Sequence, residues 1–197
     1  MKSELYLSHP DAEFWADFSF VDFPDGYLDS MSESISKALT SMNELESGAI
    51  ANPDENRMVG HYWLRDAELA PNQELTNAIG ETLAKVKEVA QSVHSGSLQS
   101  PQGLFTDLLV IGIGGSALGP QFVGKALGHP YANKLRVHFF DNTDPDGIDH
   151  TLSEIGDALS TTLVLVISKS GGTPETRNGM LEADNACTQS GLDLAAQ

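Results

Sequence analysis

Two different patterns of apolar residues divide the chain near residue 104. In the first part, apolar side chains recur every three or four positions, most clearly over residues 28–45 and 75–93. This spacing predicts two amphipathic helices, each with one buried face. In the second part, short continuous apolar runs alternate with segments of helical spacing. The sequence therefore predicts a mostly helical N-terminal segment, residues 1–104, followed by a domain of another class, residues 105–197.

The second part has the pattern of an α/β domain. Continuous apolar runs are typical of strands that are buried on both faces of a parallel sheet, and each run precedes a segment of helical spacing. The runs cover residues 108–111, 135–140 and 163–167, and the helical segments cover residues 117–127, 147–159 and 175–190. This order predicts a parallel sheet with helices on both faces. Three strands would leave an open edge, so we expect the domain to be incomplete at its C-terminal end.

The charge, the apolar runs and the cysteine content of the chain limit which partners and which cellular compartment are expected. The chain of 197 residues has 11 basic and 28 acidic side chains and a formal net charge of -17. Nucleic-acid binding through a broad face needs clustered basic residues, so no nucleic-acid partner is expected. Residues 108–113 form an apolar stretch too short to span a bilayer, and residues 1–4 do not begin a long apolar leader. The single cysteine, Cys187, excludes an internal disulfide and a four-cysteine metal site. We expect a cytoplasmic protein without a membrane or metal partner.

Two of the predicted strand-to-helix loops are rich in glycine and hydroxyl residues. The first reads Gly112-Ile113-Gly114-Gly115-Ser116-Ala117-Leu118-Gly119-Pro120, and the second reads Ser168-Lys169-Ser170-Gly171-Gly172-Thr173-Pro174-Glu175-Thr176. Ligands of open α/β sheets bind beyond the carboxyl ends of the strands. Glycines let the backbone approach an anion, and the following helix start directs amide N–H groups to the same place. Both loops are therefore candidates for binding phosphate.

The first loop alone is open to three interpretations. Gly112, Gly114 and Ala117 fit the Gly-x-Gly-x-x-Ala form of a dinucleotide loop, and Asp141 ends the next strand, where a ribose-binding acid is placed. Glycine-rich turns also serve close packing alone. The second loop favours a sugar phosphate, because a dinucleotide domain does not require it. A nicotinamide-dependent oxidoreductase domain and a stand-alone sugar-phosphate-binding module are the alternatives.

Together, the two loops resemble the glucose-6-phosphate isomerase (phosphoglucose isomerase) family, in the N-terminal portion that contains its first sugar isomerase (SIS) domain. In that family a strand runs into Gly-Ile-Gly-Gly-Ser, and a later Ser-Lys-(Ser/Thr) loop ends in Glu-Thr. Residues 110–119 and 167–176 match these motifs, and residues 56–65, 93–96 and 141–145 add further similarity. The resemblance covers most of the chain from about residue 50 onward.

The resemblance implies a fold, a reaction and a set of binding residues. The fold is a SIS-type, flavodoxin-like three-layer sandwich. The reaction is the conversion of glucose 6-phosphate to fructose 6-phosphate through an enediol by a homodimer, without a metal or redox cofactor. Gly115 and Ser116 are placed beside the substrate. The phosphate is held by Ser168, Lys169, Ser170 and Thr173, in a loop shaped by Gly171 and Gly172. Glu175 and Thr176 match the family pattern but receive no role.

The catalytic groups that the resemblance implies lie outside this sequence. In the family, the glutamate base, the arginine, the ring-opening histidine and a late lysine come from later sequence, and members are more than twice as long. No catalytic residue is identifiable in the chain. His138 is interpreted as a packed residue of a strand, and His61 and Arg65, four residues apart, as structural. We therefore expect a fragment that supplies the phosphate-binding part and is inactive alone.

Overall fold

The computed structural model describes residues 5–197, which fall into two compact units. One unit extends to Thr82 and the other comprises Leu83–Gln197. Residues 1–4, which entered the expectation about a leader peptide, lie outside the described residues. The domain boundary between residues 104 and 105 stays a prediction. Among the helices of the described range, none has the length and apolar character needed to cross a membrane.

The first unit also contains two short antiparallel hairpins, which the sequence did not predict. β1 (Tyr6–His9) pairs with β2 (Phe14–Asp17), and β3 (Ile50–Asn52) pairs with β4 (Arg57–Met58). All four residues of β1 are exposed. A strand leaves an alternating apolar pattern in the sequence only when one of its faces is buried. These strands have no such face, so the pattern that would have predicted them is missing.

The helix predicted over residues 28–45 is confirmed as α1 (Tyr27–Glu46), but the prediction of its buried face is wrong. No residue of α1 is buried. Four of its apolar side chains are between 39% and 62% exposed, namely Leu28, Ile35, Leu39 and Met42. Helical spacing shows that a helix is amphipathic, whereas the rest of the structure decides whether the apolar stripe is covered. α2 (Gln73–Ser95) confirms the second predicted helix, but it too has no buried residue, so the prediction of its buried face is also wrong.

Trp63 is the buried aromatic residue of the first unit. Its side chain is almost fully buried, and its indole Nε1 donates a hydrogen bond to the carbonyl oxygen of Glu46 over 3.0 Å. Gly60 leaves space for the indole, because a Cβ atom at that position would collide with the ring. The hydrogen bond and the close fit tie the end of α1 to the segment that follows β4.

The second unit contains the predicted parallel sheet. β5 (Asp107–Ile111), β6 (Arg136–Phe140) and β7 (Thr162–Val166) are arranged in the order β6-β5-β7, and both pairings are parallel. The three strands agree with the predicted runs to within about one residue at their ends. β5 is central and buried at four of its five positions, as a continuous apolar run predicts.

Helices cover both faces of this sheet, which confirms the predicted three-layer fold. α3 (Gly115–Leu127) connects β5 to β6, and α4 (Pro145–Ile155) connects β6 to β7 on the far side of β5. The two crossovers run in opposite directions along the sheet, and right-handed crossovers of opposite direction lie on opposite faces. α5 (Pro174–Gln189) shares the face of α4. The core on that face consists of Leu109, Ile111, Phe140, Ile148, Ile155, Leu159, Ala183 and Cys187.

Gly156 divides the segment that was predicted as one helix over residues 147–159. α4 ends at Ile155, and a 3-10 helix, Gly156–Thr161, leads into β7. Gly156 has φ +53° and ψ -130°, a conformation outside the α-helical region that glycine adopts without steric cost. Apolar residues on both sides of Gly156 continue the helical spacing, which is why the sequence pattern did not show the break.

Gly179 brings α5 close to the central strand. A Cβ atom on Gly179 would lie 2.8 Å from Cγ2 of Ile111 and 3.6 Å from Cβ of Phe140. We expect Gly179→Ala to lower the free energy of unfolding by about 1–3 kcal/mol, because α5 would have to move away from the sheet. Denaturant unfolding measures the effect. Gly124→Ala in α3 is the matched control, since its Cβ would meet open space, and it should be neutral or stabilise by up to about 1 kcal/mol. Equal effects of the two substitutions would contradict the close approach of α5.

Candidate functional site

The two glycine-rich loops begin side by side at the carboxyl ends of neighbouring strands. Ile111 and Val166 are register partners at the ends of β5 and β7. One residue further, the N–H of Ile167 donates to the carbonyl oxygen of Ile111 over 2.8 Å. From β5 the chain connects to β6 on one side of β5, and it later returns to β7 on the other side of β5. The direction of the connections thus changes between β5 and β7, which makes the space between these two strands the topological switch point. In open α/β sheets this is where ligands bind.

The first loop is shorter than its sequence suggested. Helix α3 already begins at Gly115, so only Gly112, Ile113 and Gly114 form a true connection. Gly112 lies against the helix start, because a Cβ atom there would be 2.9 Å from Cβ of Ser116 and 3.1 Å from its carbonyl oxygen. Gly114 has φ +56°, which favours glycine. Close packing thus explains Gly112, whereas the backbone conformation explains Gly114.

Gly115 and Ser116 form the first turn of α3 at the switch point. A Cβ atom on Gly115 would meet nothing within 4 Å, so the missing side chain leaves the helix start open to the outside. Ser116 is half-buried, and its N–H donates to the carbonyl oxygen of Ile113 over 3.2 Å. The positive end of the helix dipole therefore faces an accessible surface, which favours an anion.

The second loop gathers its three hydroxyl groups into one cluster, the hydroxyl cluster of Ser168, Ser170 and Thr173. Oγ1 of Thr173 lies 3.1 Å from Oγ of Ser168 and 3.4 Å from Oγ of Ser170. The N–H of Gly171 donates to Oγ of Ser168 over 3.0 Å, and the N–H of Gly172 donates to Oγ of Ser170 over 3.2 Å. Hydroxyl oxygens thus accept hydrogen bonds from the loop amides, as the oxygens of an anion would.

The rest of the second loop leads into helix α5. Thr173 is the N-cap residue, and Pro174 begins the helix, as predicted. Lys169 is exposed in the loop, and a Cβ atom on Gly171 or Gly172 would meet open space. Gly171 has φ +72°, so the turn itself favours glycine here. All eight predicted binding residues therefore lie either in the first turn of α3 or in the loop that leads into α5, on the two sides of the switch point between β5 and β7, which we call the crevice.

Strand order argues against the dinucleotide interpretation of the first loop. In a dinucleotide-binding half the third strand lies beside the second, whereas here the third strand, β7, lies beside the first, β5. Asp141, placed by that interpretation at the ribose, accepts hydrogen bonds from Nε2 of Gln121 over 2.7 Å and from Nδ2 of Asn142 over 2.8 Å. The carboxylate of Asp141 is thus already engaged by the protein. The strand order is that of a flavodoxin-like fold.

A cluster around Asp107 lies at the opposite edge of the sheet from the two loops, where β5 and β6 begin. The sequence did not predict it. The carboxylate of Asp107 is fully buried and is hydrogen-bonded by Thr106 Oγ1 over 2.8 Å, by His138 Nε2 over 2.8 Å and by Arg136 over 3.0 Å. Burial acts to raise the pKa of Asp107, but the hydrogen bonds from His138, Thr106 and Arg136 and the charge of Arg136 outweigh it. The pKa of Asp107 is therefore lowered. His138 is largely buried, as interpreted, but it is paired with a carboxylate.

The position of the Asp107 cluster separates it from the two loops. Asp107 begins β5 and Gly112 follows its end, so the length of the strand, about 15 Å, lies between them. A carboxylate, a histidine and an arginine are together, but they do not face the switch point. The arrangement is structural.

Further features of the described structure bear on ligands. A pocket of about 260 Å³ opens between α4 and α5, and its lining includes Thr143 and Asn178 but no residue of the two loops. Within residues 5–197, no group of three or more His, Cys, Asp or Glu side chains is arranged to hold a metal ion.

Thr176, which the sequence analysis gave no role, has a buried hydroxyl oxygen without a hydrogen-bond partner. No sequence signal marks this property, because it depends on how α5 packs.

The fold and the two loops define the class of the second unit. A flavodoxin-like three-layer sandwich with helices on both faces of a parallel sheet is a SIS-type fold. Comparison with known proteins agrees at the level of the family, since the phosphoglucose isomerase model matches residues 27–195. The chain belongs to the phosphoglucose isomerase family.

Curated relatives are similar over nearly the whole chain. The chain is 59% identical over 189 residues to the glucose-6-phosphate isomerase of Synechococcus elongatus. The matched segment covers 95% of this chain and 36% of that protein. It is 59% identical over 193 residues to the enzyme of the same name from Geobacter sp. strain M21, covering 98% of this chain and 36% of that protein. The glucose-6-phosphate isomerase of Thermosynechococcus vestitus is 55% identical over 188 residues, covering 95% and 35%. The chain thus spans about a third of the length of these relatives.

Proposed function

We propose that this chain supplies the phosphate-binding part of a glucose-6-phosphate isomerase. One observation carries the proposal: two donor-rich loops lie side by side at the switch point of a SIS-type sheet. The substrate would be glucose 6-phosphate or fructose 6-phosphate, the compounds that the family interconverts. The family resemblance also implies a cytoplasmic homodimer that uses no metal or redox cofactor.

Each predicted residue has a task that its position supports. The hydroxyl cluster of Ser168, Ser170 and Thr173 would donate hydrogen bonds to the phosphoryl oxygens. Gly171 and Gly172 would turn their N–H groups to the same oxygens, and Lys169 would add a positive charge. Hydrogen bonds to a charged group are about twice as strong as neutral ones, so a few of them hold a dianion even in an acidic chain. Gly115 and Ser116 would lie beside the sugar.

Sugar isomerisation needs more than these groups provide. Ring opening followed by proton transfer between C1 and C2 needs a base, an acid and a cation for the developing charge. The Asp107 cluster of the described structure faces the opposite edge of the sheet and has a carboxyl group of lowered pKa, which makes it a weak base. We therefore propose that the 197-residue chain binds the sugar phosphate weakly and does not isomerise it alone.

Titration of the ¹⁵N-labelled chain with fructose 6-phosphate tests the proposed function. We expect saturable NMR shift changes at the amides of residues 114–117, 168–173, 175 and 176, with smaller changes elsewhere. NADH is the control ligand, and a coupled isomerase assay on the same sample should show no turnover. Saturable binding of NADH at the first loop, or the absence of fructose 6-phosphate binding, would refute the phosphate site. Robust turnover would refute the proposed lack of activity and leave the site in place.

A further inference from the structure

Thr176 has a hydroxyl group that the described structure leaves without a partner. The residue is 4% exposed, and its Oγ1 atom is buried without a hydrogen bond. A buried polar atom that lacks a partner costs about 1–3 kcal/mol, and such atoms are rare in native proteins. Valine has nearly the same shape and would avoid this cost. Packing therefore does not explain why a hydroxyl group is present at this position.

Helix geometry places this hydroxyl beneath the crevice between the two loops. The buried residues of α5 form one row that faces the sheet, namely Thr176, Gly179, Ala183 and Cys187. Gly179 abuts Ile111, the last residue of β5. Thr176 is three residues nearer to the helix start, about 4.5 Å along the axis, and thus level with the backbone that follows Ile111. Side chains on a helix tilt toward its N-terminus, so this one is directed toward the loops.

We propose that Thr176 is a further binding residue of the phosphate site. Its hydroxyl group donates a hydrogen bond to the bound phosphoryl group, directly or through one ordered water molecule, and is left without a partner when the site is empty. The inference rests on the proposed function, since it assigns a new residue to the same site. The Thr176 hydroxyl would add a donor below the crevice, whereas the hydroxyl cluster of Ser168, Ser170 and Thr173 supplies donors at the rim of the crevice.

Two substitutions of Thr176 separate the hydroxyl group from its shape. Thr176→Val keeps the shape and removes the donor, whereas Thr176→Ser keeps the donor. Thr162→Val is the matched control, because Thr162 is equally buried and its hydroxyl donates to the carbonyl oxygen of Ala158 over 2.8 Å, at the opposite edge of the sheet. Each variant of the 197-residue chain is titrated with inorganic phosphate and with fructose 6-phosphate by NMR, and its melting temperature is measured without ligand.

We expect Thr176→Val to weaken binding of both anions about 10-fold to 100-fold, the effect of one hydrogen bond to a charged group. Its melting temperature without ligand should be unchanged or higher, and Thr176→Ser should bind within about twofold of the unsubstituted chain. Thr162→Val should lower the melting temperature by several degrees and leave both affinities unchanged.

Three outcomes would overturn the role of Thr176. Equal affinities of Thr176→Val and the unsubstituted chain would remove this residue from the site and leave the site itself standing. A melting temperature lowered as in Thr162→Val would show that the hydroxyl group is structural. Failure of the unsubstituted chain to bind either anion would overturn the phosphate site and the role of Thr176 together.

Discussion

Replacing Asp107 with asparagine should lower the free energy of unfolding by about 3 kcal/mol. The carboxylate is fully buried and accepts hydrogen bonds from Thr106, Arg136 and His138. An ionised carboxylate only accepts hydrogen bonds, whereas an amide presents an NH₂ group to at least one of these donors. The substitution removes the charge and leaves a buried donor facing another donor. Thermal and denaturant unfolding measure the loss.

The lowered pKa of Asp107 also predicts how stability changes with pH. The folded state binds the proton of this carboxyl group less readily than the unfolded state, in which the pKa is about 3.9. The stability that this group contributes is therefore fully present above about pH 4 and is lost as the pH falls through the lower folded pKa. Melting temperatures recorded from pH 7 down to pH 2 should show this acid loss, and Asp107→Asn should lack that part of it.

Asp149→Asn is the control for the Asp107 prediction. Asp149 is an exposed aspartate on α4, in the same unit, and its substitution should change stability by less than about 0.5 kcal/mol. If Asp107→Asn had an equally small effect, or if it left the acid part of the pH profile unchanged, the hydrogen bonds around Asp107 would not stabilise the fold.

The sequence predicted the sheet because burial on both faces leaves a direct trace. Residues 108–111 are continuously apolar, and β5 is buried on both faces as the central strand. The Asp107 cluster leaves no such trace. Arg136 and His138 follow Asp107 by 29 and 31 residues, and only the parallel register of β5 and β6 brings them together. The hairpins of the first unit were missed for a related reason, since exposed strands impose no alternation on their residues.

The placement of the two candidate loops was predictable from the sequence, but their hydrogen bonding was not. Glycines and hydroxyls after two strands indicated a phosphate site, and the order β6-β5-β7 brings the two loops to the same crevice. Their sequence does not show that the hydroxyl cluster of Ser168, Ser170 and Thr173 is bonded within itself and to Gly171 and Gly172. Under the proposed function, a bound phosphate would have to exchange these hydrogen bonds for its own, which would lower the affinity that the loop can reach alone.

The double substitution of Ser168→Ala with Thr173→Ala should weaken the binding of fructose 6-phosphate by on the order of 100-fold or more. Each lost hydrogen bond to a charged group is worth about 1.5–3 kcal/mol, and the two hydroxyls lie 3.1 Å apart, so both reach the same phosphoryl group. Stability should change by less than about 1 kcal/mol, because the N–H of Gly171, now without Oγ of Ser168, is exposed and is solvated by water. NMR titration and thermal unfolding give the two quantities.

A matched pair of substitutions shows whether the loss belongs to the loop. Thr151→Ala with Ser153→Ala also removes one threonine and one serine hydroxyl from the second unit, but both donate to carbonyl oxygens within α4, over 3.0 Å and 2.8 Å. This control should bind fructose 6-phosphate like the unsubstituted chain. Inorganic phosphate should lose the same factor as fructose 6-phosphate in the loop variant, because the phosphoryl group is what the two ligands share. Unchanged affinity in the loop variant would refute the phosphate loop, and a loss confined to fructose 6-phosphate would move Ser168 and Thr173 from the phosphate to the sugar.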